Sequence, residues 1–138
     1  MSPQSDLPDL NVWLALASET HAHHCQALHY WEQQAAERVL FCTVTALGLV
    51  RLVSQPRLMG TAVQSAAEAS ALLEAFLCQP GVAMPAPEHD GWDIVHVLLR
   101  TGEVPARHCT DAYLAGLAMA NGCRWWLQPP RRSPRPKG

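Results

Sequence analysis

No run of apolar residues in this chain reaches the roughly 18 needed to cross a bilayer, and its N-terminus has no basic segment leading into an apolar one. A membrane span and a secretory leader are therefore not expected, and a cytoplasmic setting is. Charge is scarce as well: Asp, Glu, Lys and Arg make up 16% of the residues against 49% hydrophobic. That balance excludes a disordered chain and describes a globular one with apolar surface to spare for a partner. Cys-x-x-Cys pairs are absent. The five cysteines, Cys25, Cys42, Cys78, Cys109 and Cys123, are odd in number and scattered, so reduced, mostly buried thiols are expected rather than a disulfide framework. Basic residues are few outside the ending, where Arg131, Arg132, Arg135 and Lys137 supply four of the ten. The acidic body that remains is a poor electrostatic match for a nucleic acid, whose binding draws on clustered Lys and Arg.

The 138 residues suffice for one core that buries roughly 65–70% of the unfolded chain's surface. Residues 1–128 read as a single domain, and 129–138 as a Pro/Arg-rich tail whose bias marks it as disordered. Ser5 to Pro8 reads as a short strand and Asn11 to Ser18 as a helix. Thr20 is placed to cap a second helix from His21 to Glu37. Val39 to Thr43 is apolar and strand-like, Thr45 caps a helix to Val53, and Pro56 stops it. The spacing of Val63, Ala66, Ala67, Ser70, Leu73 and Leu77 predicts a helix over Thr61 to Cys78. A brief strand follows at Val82 to Met84. Asp90 then caps a helix carrying Trp92, Val95 and Leu99, Thr110 or Asp111 opens another closed by Asn121-Gly122, and Arg124 to Leu127 forms a last strand. Strands alternating with helices give an α/β fold, a three-layer sandwich around a mostly parallel central sheet.

Two acids stand at the edges of apolar runs, Asp9 in Leu7-Pro8-Asp9-Leu10-Asn11-Val12 and Asp111 in Thr110-Asp111-Ala112-Tyr113. A strand that ends in Asp9 and a helix that opens on Asp111 can meet at the carboxyl edge of the sheet, where open α/β folds hold their sites. Either acid alone reads equally as a helix cap. Close together, two carboxylates repel and one would take up a proton unless a cation lay between them. Asn11 either orients Asp9 or caps the helix, and Thr45 either reaches a metal-bound water or caps its own helix. The cluster His21, His23, His24, Cys25 invites a transition-metal reading, but its members fix no four-ligand set and read better as helix-face packing.

The two acidic segments resemble those of PIN-domain nucleases, in particular the toxin subunits of the VapC type. Between them, His21-Ala22-His23-His24 with Trp31, then Val44-Thr45-Ala46-Leu47-Gly48-Leu49-Val50-Arg51-Leu52, and Gln55-Pro56-Arg57-Leu58-Met59-Gly60 are similar to the same branch and occur in its order. The resemblance runs from about Leu7 to Arg124. It implies an endoribonuclease toxin that depends on Mg²⁺, with Mn²⁺ as a substitute, is partnered by a cognate antitoxin and is usually a homodimer. Asp9 and Asp111 would be metal ligands and catalytic acids. Two other family acids have no counterpart: Thr45 is followed by Ala46, and the last strand runs into Gln128-Pro129-Pro130. Activity is therefore expected to be reduced, and the alternative is a catalytically degenerate PIN fold that acts by binding an antitoxin or RNA. For RNA contact the candidates are Arg51, either ion-paired with a site carboxylate or aimed at phosphate, and Arg57.

Overall fold

The computed structural model describes residues 5–127, so the expected boundary at 128 and the tail 129–138 lie outside the described residues. Four short strands, β1 (Ser5–Pro8), β2 (Arg38–Leu40), β3 (Val82–Ala83) and β4 (Arg124–Trp126), pair in the order β3-β2-β1-β4, every pair parallel. Parallel neighbours need crossovers, and helices supply them. The first three strands are laid down outward from β1, and the chain then returns to place β4 on the free side of β1. The strand order reverses between β1 and β4, and a doubly wound sheet opens a crevice at such a reversal.

Side-chain alternation along the strands builds a core on each face. On one face Val39, Phe41 and Val82 meet Trp13 and Leu14 of α1 (Leu10–Ala17), Ala46, Leu49 and Val53 of α3 (Thr43–Val53) and Ala69 of α5 (Ala66–Leu77). Trp13 stacks on Phe41 with ring centroids 3.8 Å apart. On the other face Leu7, Leu40 and Cys42 are covered by Leu114, Leu117 and Ala118 of α7 (Cys109–Ala120), against which α6 (Trp92–Arg100) packs. Helices on both faces of a parallel sheet make the three-layer sandwich expected from the sequence.

The α6–α7 contact depends on two glycines. Gly91 has φ +73°, and a Cβ there would stand 2.5 Å from the Gly116 carbonyl oxygen; a Cβ on Gly116 would stand 2.7 Å from Val95 Cγ2. Asp90 accepts from the Trp92 amide at 2.9 Å, but the cap of α6 is Gly91 rather than Asp90 as expected, since the left-handed turn there needs a glycine. The Asn121 side chain donates to the His89 carbonyl at 2.6 Å and accepts from the His89 amide at 3.1 Å, tying the start of α6 to the end of α7.

Several boundaries differ from expectation. The helix predicted from His21 begins only at His24, as α2 (His24–His29), and passes into a wider π-helical turn at Tyr30–Gln34. His21 Nδ1 accepts from the His23 amide at 3.0 Å, and the His24 ring bonds the Ala15 carbonyl at 2.7 Å. These local bonds replace the first helical turn, so His21 and Cys25 do not share a helix face. Thr45 is not the cap of α3 but its third residue, Cys42 being the cap. Pro56 does not merely stop that helix; it opens α4 (Pro56–Met59), where it needs no amide donor. α5 starts at Ala66, later than predicted, because Ser65 and Glu68 form a reciprocal cap. The thiols are free but not mostly buried: Cys25, Cys78 and Cys109 are exposed, since each lies on the outward side of a helix or at its end.

Candidate functional site

β1 ends at Pro8, and the next residue, Asp9, extends the ladder by donating its amide to the Trp126 carbonyl of β4 at 2.8 Å. Asp9 therefore stands at the reversal point on the carboxyl edge of the sheet. It is also the cap of α1: its Oδ2 accepts from the Asn11 backbone amide at 3.3 Å and from the Asn11 side-chain amide at 3.2 Å. Asn11 thus both completes the cap and orients the carboxylate.

α7 runs back from the same edge and carries Asp111 in its first turn. Asp111 is half-exposed and lies 3.6 Å from His108 Nδ1. Its charge reaches Asp9. Burial is the largest influence on the Asp9 carboxyl and raises its pKa; the Asn11 amide opposes this, and repulsion from Asp111 raises it further. Burial and a like charge, each acting on a carboxylate, leave a local deficit of positive charge.

The remaining expected residues fall into place unevenly. Thr45 is fully buried, and its hydroxyl accepts from the Cys42 amide at 3.0 Å and donates to the Cys42 carbonyl at 3.1 Å. Its polar capacity is used within the cap of α3. Ala46 is buried in the core beside Trp13 and Leu49. Arg51 is exposed in the last turn of α3 and Arg57 is exposed in α4. Neither makes an ion pair among the described residues, so the alternative of Arg51 bound to a site carboxylate is not realised.

The ion pair belongs instead to residues that sequence reasoning passed over. Asp6 is fully buried in β1 and sits opposite Arg124 of β4. Arg124 Nε and Nη2 donate to its two oxygens at 2.6 and 2.9 Å, and the Tyr30 hydroxyl and Ala36 amide donate to Oδ2 at 2.6 and 3.0 Å. Tyr30 stacks on Trp126 at 4.5 Å, and the Tyr30 phenol is raised far above its ordinary pKa by burial and by its bond to Asp6. The network fixes β4 against β1 and with it the Trp126 carbonyl that holds Asp9. A signal did exist, because an acid inside a four-residue strand must find a partner, but the partner is far away in sequence.

No family model matches the chain. It is 31% identical over 121 residues to the ribonuclease VapC41 of Mycobacterium tuberculosis, covering 84% of this chain and 83% of that protein. Ribonuclease VapC38 of the same organism is 30% identical over 122 residues, 86% of this chain and 80% of its own. Among solved structures, VapC20 of M. tuberculosis, a Sarcin-Ricin loop cleaving toxin, superposes with a TM-score of 0.67 at 16% identity, covering 91% of this chain and 90% of its own. VapBC2 of Rickettsia felis, bound to a DNA fragment from its promoter, gives 0.58 at 10% identity over 91% of this chain and 98% of its own. The last two likenesses concern the fold.

Proposed function

The chain belongs to the VapC family of ribonuclease toxins, and from that membership we propose that it is a metal-dependent endoribonuclease of a toxin–antitoxin pair, hydrolysing RNA with Asp9 and Asp111 as its working acids. The observation that carries the reading is the joint placement of the two carboxylates at the reversal point, with Asp9 buried and repelled by Asp111. A divalent cation relieves that repulsion. Mg²⁺ suits the donor set, which is hard, anionic and small enough to leave the ion its waters; Mn²⁺ is the expected substitute. When bound, the cation supplies Lewis-acid polarisation of the phosphate and a more acidic water. The chain does the rest. Asn11 holds Asp9 Oδ2, while half-exposed Asp111 keeps the site accessible to a phosphodiester. Arg51 and Arg57 are the proposed contacts to RNA phosphate.

The proposed partner is an antitoxin that places an Arg or Lys against Asp9 and Asp111. The proposed assembly is a homodimer, and the setting the cytoplasm; no helix among the described residues is long and apolar enough to cross a membrane. Exposed Leu47, Trp92, Val97 and Met119 offer apolar surface for such contacts.

One observation favours the second reading, a degenerate PIN fold that binds without cleaving. Among the described residues no group of three or more His, Cys, Asp or Glu is gathered to hold a metal ion. Titration calorimetry separates the two. Weak Mg²⁺ and Mn²⁺ binding is expected for the wild type and none for Asp9→Asn or Asp111→Asn; equal heats from all three proteins remove the site.

A further inference from the structure

On the face of the sheet that α7 covers, side chains alternate along β1 and β2, so Ser5 and Leu7 share that face with Arg38, Leu40 and Cys42. Between α7 and residues 85–88, which follow β3, they floor a slot of about 420 Å³, a size typical of small-molecule sites. Its length and its end differ in character. The floor runs about 13 Å from Arg38 to Cys42, four residues of extended chain, and along it Leu7 and Leu40 lie below with Leu117 of α7 at the side. Polar groups gather at the Arg38 end. Ser5, nearly buried, is the register partner of Arg38. Burial raises the pKa of the Cys123 thiol and the charge of Arg38 opposes it, so the guanidinium stands beside Cys123 at this end of the slot. Asn121 lines the same end, but its side chain is engaged by His89 and Leu117. Arg38 makes no ion pair among the described residues, although exposed Glu88 also lines the slot. An uncommitted guanidinium matches a carboxylate bidentately, and the apolar length beyond it asks for more than a bare anion.

We propose that this slot is a second ligand site, which takes a small organic carboxylate with an apolar body: the carboxylate on Arg38, the body along Leu7, Leu40 and Leu117. Glu88 favours those members of the class that also carry an α-ammonium group, the apolar amino acids. Neither Asp9 nor Asp111 lines the slot, so its occupancy is independent of the ribonuclease reading.

The test is calorimetric titration of the full chain with phenylalanine, hydrocinnamate, phenethylamine and glycine, which separate the carboxylate, the amine and the apolar body. Saturable binding is expected for the first two and not for the others. Tighter binding of phenylalanine than of hydrocinnamate supports the slot with Glu88 taking part, and the reverse order supports it with Arg38 alone as the head contact. Arg38 is exposed at the start of β2, so Arg38→Met should keep the unfolding midpoint while weakening both ligands at least about 10-fold, the equivalent of one charge-assisted bond. A second readout needs no variant: bound ligand should slow alkylation of Cys123, read peptide by peptide, and leave exposed Cys25, Cys78 and Cys109 reacting as before. Failure of both carboxylates to bind overturns the site, as does equal affinity for phenethylamine or glycine. Binding that survives Arg38→Met, or that leaves Cys123 unprotected, places the ligand elsewhere and overturns it too.

Discussion

The Asp9 carboxylate caps α1 through Asn11 while buried beside a second carboxylate, and burial, with a further push from Asp111, raises its pKa against the opposing Asn11 bond. A carboxyl raised in the folded state stabilises the fold fully only below its ordinary titration range, and that contribution is lost as pH climbs through the raised value. At neutral pH the ionised group therefore works against folding. Asn is as good a cap as Asp, so Asp9→Asn should keep α1 and remove the repulsion. Urea unfolding without added metal is expected to show the variant more stable by about 0.5–2 kcal/mol at neutral pH, a common gain when a strained functional group is replaced. The advantage should shrink as pH falls through the raised titration of the wild-type carboxyl and vanish below the ordinary carboxylate range. A variant less stable at neutral pH would mean that Asp9 serves the fold alone.

At the scale of elements, β1 and β4 are held by the buried Asp6 and its bond to Arg124, and α6 and α7 by the close approach of Gly91 and Gly116. Removing the carboxylate leaves the Tyr30 hydroxyl, the Ala36 amide and Arg124 without their acceptor; Asp6→Ala is expected to cost about 3 kcal/mol in denaturant unfolding. Gly91→Ala meets both a positive φ and a backbone oxygen, and should cost at least about 2 kcal/mol; a neutral effect would mean that the two helices can separate freely. These elements also mark how much could be read from the chain. The strands and the existence of the helices in the regions of Thr43–Val53, Ala66–Leu77 and Trp92–Arg100 follow from local signals, apolar runs and helical spacing, while their first residues do not. Asp6 did not, because its meaning depends on β4 lying beside β1, 118 residues later. The delayed start of α2 was hidden too, since histidine rings bonding nearby backbone groups leave no mark in a periodicity. For Thr45 the sequence leaves a metal-bound water and a helix cap both open, because it does not reveal that the Cys42 backbone uses the hydroxyl.

For the whole molecule, the sheet, its two helical layers and the reversal between β1 and β4 put Asp9 at the carboxyl edge within reach of the Asp111 charge, while Ala46 fills a core position where the resemblance places an acid. Four of the ten basic residues lie beyond the described part of the chain. If that ending contributes charge rather than packing, a chain cut after Gln128 should keep its stability within about 0.5 kcal/mol of full length, the range of ordinary surface changes; a larger loss would show that the segment docks on the core. The account as a whole rests on Asp9 and Asp111 serving catalysis, and RNA cleavage by the purified full-length chain tests it most directly. Cleavage is expected with Mg²⁺, should disappear with chelator and in both Asp9→Asn and Asp111→Asn, and should be suppressed when the product of the adjacent gene is added. Cleavage that persists in both variants, or RNA bound but left intact under every metal condition, would contradict it.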